Sequence, residues 1–225
     1  MGNTKIIKNN NIFICDFLLS IGKHCRPAIQ LRNNDLRYFS SPLDWIGGYT
    51  LDILLKLYKN NFENFFYNYK IDYDKKAAPD SIWVEDTYYN IFDMHHFKND
   101  IDINEYLPEY RSMMKKRADR LKNYFETSTD IVFVAERDEN KEEMIDFLNA
   151  FSKIYPNLNI RLFNVRDDRN MDFTTYKENK YFDDGKLSYV EYTLNDTNSD
   201  EETVSGNNLV WKNVLSNYKL REIVN

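Results

Sequence analysis

Residues 130–165 read DIVFVAERDENKEEMIDFLNAFSKIYPNLNIRLFNV, and this stretch decides the fold class. It begins with an apolar run over 130–135, continues with helical spacing of apolar residues over 141–154 and ends with a second apolar run over 158–165. A strand, a helix and a strand in this order form a right-handed parallel unit. We therefore predict an α/β protein with a single mixed sheet, this parallel unit in its C-terminal half, and helices on both faces.

Apolar patterns on either side extend this architecture. Residues 12–19 form an apolar run that is broken at Asp16, which predicts a buried strand, and the alternation over 187–194 predicts a strand near a sheet edge. Residues 110–125 are basic on one side and apolar on the other, which is typical of an amphipathic helix. Residues 101–107, just before it, are predicted to form a turn.

The overall composition is that of a globular chain with a negative charge. The chain has 225 residues, 42% of them hydrophobic, and a formal net charge of -6. This length is sufficient for one large domain, and we predict a single domain over 1–225. The polar segments 1–11 and 195–208 are predicted to be a frayed start and a mobile loop.

Charge and cysteine usage exclude several function classes. The acidic balance argues against binding of nucleic acid by general phosphate attraction. Two cysteines cannot form a disulfide framework, and no stretch of about 18 consecutive apolar residues predicts a membrane span. We therefore expect a cytoplasmic protein with no nucleic-acid or membrane partner and no cofactor, and its oligomeric state stays open.

The first candidate for chemistry is Cys25. The strand over 12–19 leads through Gly22 to Cys25, and Pro27 stands where helices favour proline. Backbone amides and the helix dipole at such a junction favour a thiolate, so we predict a thiol that is more acidic than usual. Cys15 lies inside the apolar run and is interpreted as packing. The same interpretation is the general alternative for Cys25, because free cysteines are usually buried.

A thiol nucleophile needs a base, and the chain has only three histidines. His24 is adjacent to Cys25, but neighbouring side chains at a helix start point in different directions. That leaves His95 and His96. If they end a strand they point to opposite sides, so at most one of them faces the cysteine.

Carboxylates and arginines complete the candidate site. Asp44 is nominated to orient or polarise, with Asp93 and Asp100 as alternatives near the histidines. Arg117 and Arg120 lie one helical turn apart and could hold a carboxylate or phosphate together, although a solvated basic face is the simpler interpretation.

Metal binding is the weaker hypothesis. The spacings of the cysteines and histidines match no structural zinc pattern. The polar residues 136–138 and 167–169 follow the two strands of the parallel unit, at the edge where open α/β sheets usually bind ligands. Without a nearby histidine we interpret their carboxylates as solvated, and no metal site is predicted.

A resemblance to a known family rests on residues 19–46. The matching residues are Leu19-Ser20-Ile21-Gly22, Cys25, Pro27-Ala28, Leu31-Arg32, Leu36-Arg37, Ser40, Pro42 and Asp44-Trp45-Ile46. This run resembles the start of the bacterial and viral family described as putative papain-like cysteine peptidases (domain of unknown function 1796). The family's later His-Asp-Phe element is similar to His95-His96-Phe97. The family's aspartate falls on His96, which makes His95 the counterpart of its histidine.

The resemblance implies a cysteine-dependent hydrolase or acyl transferase, and a papain-like core in which a helix packs on an antiparallel sheet. Cys25 would attack a carbonyl, His95 would act as base and then acid, and Asp44 would orient or stabilise. The substrate would be a peptide, an amide or an anionic glycan-type molecule. The candidate substrate-binding residues are Arg32, Arg37, Trp45, His96, Arg117 and Arg120.

Two other classes stay open. One is a glycan or phosphate-ester transferase on a Rossmann-like sheet, in which Asp44, His95 and the arginines bind an anionic group and Cys25 only packs. The other is a non-catalytic binding module. Rapid alkylation of Cys25 at neutral pH favours the nucleophile, and an exposed aromatic patch without a cleft favours the binding module.

Overall fold

The computed structural model describes residues 12–197 and 204–222. The predicted frayed start, 1–11, lies outside the described residues, as does the middle of the predicted mobile loop. At the described ends of that loop, Asp196 and Asn207 are buried. These ends therefore belong to the packed structure.

The described residues contain five helices and eleven strands. The helices are α1 (Arg26–Asn33), α2 (Leu51–Lys59), α3 (Ile103–Thr127), α4 (Lys141–Ile154) and α5 (Asn208–Leu215). The strands are β1 (Phe13–Cys15), β2 (Phe17–Ser20), β3 (Ile46–Gly47), β4 (Tyr69–Asp72), β5 (Trp83–Asp86), β6 (Ile91–Asp93), β7 (Asp130–Glu136), β8 (Asn159–Asp167), β9 (Tyr176–Asp183), β10 (Leu187–Leu194) and β11 (Tyr218–Leu220).

The central sheet has five strands in the order β2-β7-β8-β10-β9. Strands β2, β7, β8 and β10 are parallel to one another, and β9 closes one edge antiparallel to β10. A four-stranded antiparallel sheet (β3-β6-β5-β4) and a parallel pair (β1-β11) complete the strands. The α/β class and the parallel strand-helix-strand unit are confirmed.

The expectation of a single sheet is wrong, because the described strands form three sheets. The predicted first strand divides at Asp16, whose carboxylate accepts hydrogen bonds from the amides of Thr129 and Asp130. This bend separates β1, which pairs with β11, from β2, which pairs with β7. The strands between α1 and α3 pair with one another by short antiparallel connections and never join the central sheet.

Helices cover both faces of the central sheet, as predicted. Successive residues of β7 alternate between the two sides: Ile131 and Phe133 pack with α2, α3 and α4, and Val132 and Val134 pack with α1 and α5. Helix α1, which follows β2, packs against β2 and β7 of the parallel sheet. The helix that begins after Cys25 thus lies on a parallel sheet, and not on the antiparallel sheet that the family resemblance implied.

Two local predictions need correction. Helix α3 begins at Ile103, so most of the predicted turn over 101–107 is helical. Asp102 caps the helix by accepting a hydrogen bond from the amide of Asn104, and Pro108 in the early helix hides this start in the sequence. The strand predicted near a sheet edge over 187–194 is β10, the second strand from one edge of the central sheet. The edge itself is β9, for which the sequence predicted no strand, because its residues are mostly polar and none of them is buried.

No helix in the described part of the chain is both long and apolar enough to cross a membrane.

Candidate functional site

Cys25 lies at the junction of β2 and α1, as predicted. It is the N-cap residue of α1, and Pro27 occupies the first turn of the helix. The turn between strand and helix requires Gly22, because a Cβ atom there would lie 2.6 Å from Cγ of Pro27. The sequence therefore places a partly buried thiol in the turn that follows the carboxyl end of β2, the parallel strand at one edge of the central sheet.

The two cysteines differ in their surroundings. Cys15 is fully buried, donates a hydrogen bond to the Lys219 carbonyl and has its pKa raised to about 12, first by burial. Burial also raises the pKa of the Cys25 thiol, although its own backbone amide and Arg26 lower it. The predicted acidity of Cys25 is therefore wrong for the resting thiol, because the loss of hydration outweighs the helix start. Attack by Cys25 needs a group that removes its proton.

Ion pairs hold the start of α1 to the ends of two other strands. Nη1 of Arg26 donates to Oε1 of Glu136 at 2.6 Å and to Oδ2 of Asp196 at 2.9 Å. Oδ1 of Asp196 accepts from the Asn207 amide and from Nε1 of the buried Trp211, both at 2.9 Å. The residue that follows the candidate nucleophile is thus fixed by carboxylates from β7 and from the segment after β10.

The side chain of Arg137 organises the same edge of the sheet and has no exposed surface. It donates to the carbonyl oxygens of Ile21 and Tyr49 at 3.0 and 2.9 Å, and to Oε1 of Glu139 at 2.6 Å. The sequence predicts a solvated loop over 136–138, but in the structure Arg137 is buried and holds this edge together. Its only sequence signal is the position directly after a central strand.

A second group of polar side chains is centred on Asp93. The Asp93 carboxylate is fully buried and accepts hydrogen bonds from the amides of His95 and His96, from Nδ1 of His96 at 2.7 Å and from the Tyr110 hydroxyl at 2.9 Å. Burial alone would raise the pKa of this carboxyl, but His96 and the amides lower it below its usual value. Asp93 therefore orients the His96 ring and leaves Nε2 as its free nitrogen.

His95 lies beside Trp45. Their ring centroids are 5.5 Å apart, and burial lowers the pKa of His95. The guanidinium groups of Arg32 and Arg37 lie over the same indole, at 5.7 and 5.9 Å from its centroid. Arg32 and Arg37, both predicted to bind substrate, thus lie against Trp45, and so does His95.

Asp44 is buried beneath this group. Its carboxylate accepts hydrogen bonds from Arg37 and from the Ser41 amide, and no hydrogen bond joins it to an imidazole in the described residues. Burial raises the pKa of Asp44, while Arg37 and Arg117 lower it. Arg120 donates to the Ser40 carbonyl at 2.8 Å. Asp44, through the Ser41 amide, and Arg120, through the Ser40 carbonyl, therefore hold the loop that carries Trp45.

Arg117, on helix α3 near Asp44, is one of the arginines of this group that have no acidic partner among the described residues. Its guanidinium is partly buried, and its hydrogen bond goes to the Met114 sulfur at 4.0 Å. No carboxylate lies within ion-pair distance of Arg117 in the part of the chain that the structure describes. Burial lowers its pKa, Asp44 raises it and Arg37 lowers it further. A partly desolvated cation of this kind favours an anionic ligand.

The structure brings most of the predicted site residues together around Trp45, and no described hydrogen bond joins Cys25 to them. Within 12–197 and 204–222, no hydrogen bond joins the Cys25 thiol to an imidazole. Tyr49 lies near both Asp44 and Cys25: burial raises the pKa of its phenol, Arg137 lowers it, and Asp44 and Cys25 raise it further. His24 is exposed.

The described ranges 12–197 and 204–222 hold no cluster of three or more His, Cys, Asp or Glu side chains placed to bind a metal ion.

The raised pKa of Glu136 predicts that the stability of the fold depends on pH. Burial raises its pKa to about 7, with Arg26 opposing and Asp196 adding to the rise. Because the folded pKa lies above the usual value of 4.5, folding favours the protonated form, and stability falls as the pH rises from about 4.5 to about 7. The expected contribution is about 3 kcal/mol, since each pKa unit corresponds to about 1.4 kcal/mol.

Urea unfolding at pH 5 and pH 8 measures this effect. The difference in unfolding free energy between wild type and Glu136→Gln should change between these two pH values, because the variant cannot titrate. Glu178→Gln, on the far edge strand β9, is the matched control and should behave as wild type at both. A wild-type-to-E136Q difference that is the same at pH 5 and pH 8 would contradict the prediction.

Comparison with known proteins identifies the family. The profile of the family described as putative papain-like cysteine peptidase (DUF1796) matches residues 16–170, which is more than half of the chain. No curated protein and no solved structure matches the chain. The matched segment includes Cys25, the groups around Asp93 and Trp45, and the parallel unit, and it ends before β9. The chain therefore belongs to the DUF1796 family of putative papain-like cysteine peptidases.

Proposed function

We propose that this protein is a cysteine-dependent hydrolase or acyl transferase in which Cys25 attacks the carbonyl of an amide or peptide. The observation that carries the proposal is the partly buried thiol at the start of α1, in the turn that follows the carboxyl end of the parallel edge strand β2. A strand-to-helix turn presents a nucleophile to a ligand at the sheet edge. The family description agrees with this chemistry.

The proposed base is His96, in preference to His95. Asp93 binds Nδ1 of His96, so the neutral ring carries its proton there and its free Nε2 can accept one. His95 is the residue that the family resemblance favours, but in the described structure its ring lies against Trp45 without a hydrogen bond. A substrate that binds between α1 and Trp45 would lie within reach of Cys25 on one side and of the histidines on the other.

The reaction follows from these roles. The thiol gives its proton to the base as sulfur bonds to the substrate carbonyl carbon, and the base then protonates the leaving amine. Water or a second acceptor attacks the resulting thioester and releases Cys25. Arg32 and Arg117 are proposed to hold an anionic part of the substrate, because neither has an ion pair among the described residues.

A second candidate is a glycan or phosphate-ester transferase in which Cys25 only packs. Two observations favour it: the parallel sheet, and arginines around Trp45 that are not joined to the thiol by any described contact. The two candidates differ in whether the Cys25 sulfur ever carries a covalent intermediate.

Acylation by p-nitrophenyl acetate tests the proposal. Wild type and Cys15→Ser should form an acetyl thioester at Cys25, visible by mass spectrometry, and Cys25→Ser should not. His96→Asn should slow acylation by about 100-fold, within the range for loss of a general base, and His95→Asn should slow it less. Acetylation at another residue, or full turnover by Cys25→Ser, would refute the nucleophile and favour the second candidate.

A further inference from the structure

The arginine next to the nucleophile has an unusual set of partners. Besides Glu136 and Asp196, Nε of Arg26 donates to the Val204 carbonyl at 3.0 Å. Two carboxylates and a carbonyl thus hold one guanidinium. Arg26 lowers the pKa of the adjacent Cys25 thiol, so its position affects how readily the thiol ionises.

Asp196 is built into the C-terminal part of the fold. Its side chain is 1% exposed, and its two oxygens accept from Arg26, the Asn207 amide and the Trp211 indole. Its own amide donates to Asp167 at 2.9 Å. Asp196 lies beyond residue 170, outside the segment that the family profile matches. The C-terminal segment therefore reaches back to the start of α1.

Glu136 and Arg26 have opposite effects on the pKa of the Cys25 thiol. Oε1 binds Arg26, and Oε2 is buried without a hydrogen-bond partner among the described residues. Among the charged groups that act on Cys25, Arg26 lowers the thiol pKa and Glu136 raises it. Glu136 itself faces Arg26 and three like charges, Asp138, Asp167 and Asp196. Titration of Glu136 thus changes the charge beside the nucleophile.

We propose that Glu136 and Asp196 are positioning residues that hold Arg26 beside Cys25, and that the opposed charges of Arg26 and Glu136 set how readily the thiol ionises. Asp196, just after β10, then acts on the nucleophile through Arg26. This role rests on the proposed function for its importance in turnover, but not for its effect on the thiol itself.

The test measures iodoacetamide alkylation of Cys25 from pH 6 to pH 10 in a Cys15→Ser background. The wild-type profile should have a shoulder near neutral pH, where Glu136 ionises and makes the thiol harder to deprotonate. Glu136→Gln should abolish the shoulder and alkylate about tenfold faster at pH 8, because glutamine keeps an oxygen that can accept from Arg26 but removes the negative charge. Asp196→Asn should move the shoulder to lower pH, because it removes a like charge from beside Glu136.

Arg26 variants should change the alkylation rate in the opposite direction. Arg26→Gln should slow alkylation, and Arg26→Lys should recover part of the rate because it keeps the charge. Glu178→Gln should match the background protein. These variants also keep the test decisive should Glu136→Gln fail to fold.

The outcomes separate the two proposals. Profiles of Glu136→Gln and Arg26→Gln that both lie within about twofold of the background protein would overturn the positioning role. If these profiles shift while Cys25→Ser keeps full turnover, the positioning role stands and the proposed function fails.

Discussion

Replacing Arg137 by methionine should lower the free energy of unfolding by about 3–5 kcal/mol, the range for removing one partner of a buried ion pair. Methionine fills much of the same volume but leaves the carbonyls of Ile21 and Tyr49 and the Glu139 carboxylate without their donor. Each buried group then loses hydration without compensation. The loss of local stability should be largest at the carboxyl edge of the sheet.

Two further variants identify the cause. Arg137→Met combined with Glu139→Gln should recover part of the lost stability, because no uncompensated carboxylate remains. Arg169→Met removes an exposed arginine whose ion pair with Asp167 is at 3.4 Å, and it should change stability by no more than about 0.5 kcal/mol. Urea unfolding measures all three, and an Arg137→Met variant as stable as Arg169→Met would show that the buried contacts contribute little.

The parts of the fold that could be predicted are those with a strong local pattern. Helix α4 has apolar residues at helical spacing and a capping box formed by Asn140 and Glu143. Strands β7 and β8 are continuous apolar runs, as expected for parallel strands buried on both faces. These segments lie where the sequence predicts them because local preference and tertiary burial agree.

The division into three sheets could not be predicted, because it depends on pairing between distant residues. Asp16 looks like one polar interruption in an apolar run, and only the amides of Thr129 and Asp130 show why the strand bends there. Similarly, β11 pairs with β1 across almost the whole chain. Neither contact has a signal within a short window of sequence.

The candidate site shows the same limit. The residue types and the helix start at Cys25 were predictable. The contacts of Trp45 with Arg32 and Arg37, and the partner of each titratable group, were not, because they depend on tertiary packing. Asp44 binds Arg37, and the carboxylate that binds an imidazole is Asp93, because strand β6 ends at Asp93 and the chain then turns so that His96 reaches it.

Asp93→Ala should have an effect on stability as large as that of Arg137→Met. The variant leaves the buried Tyr110 hydroxyl, the His96 ring and two backbone amides without an acceptor, at an expected cost of about 3–5 kcal/mol. Asp100→Ala is the matched control, since Asp100 is exposed and was the other candidate carboxylate near the histidines. It should change the unfolding free energy by less than about 0.5 kcal/mol.

Asp93→Asn separates the structural role from the chemical one. Oδ1 of Asp93 accepts two backbone amides, so the oxygen of asparagine must stay there, and its NH2 group then faces Nδ1 of His96. An NH2 donor requires Nδ1 to be an acceptor, which moves the ring proton to Nε2, where the proposed base must be free. We expect 15N chemical shifts of the His96 ring to show this change of tautomer, and Cys25 acylation to fall by at least about 100-fold. If the ring changes tautomer while acylation continues at the wild-type rate, His96 is not the base, because an imidazole that is protonated at Nε2 cannot take the thiol proton.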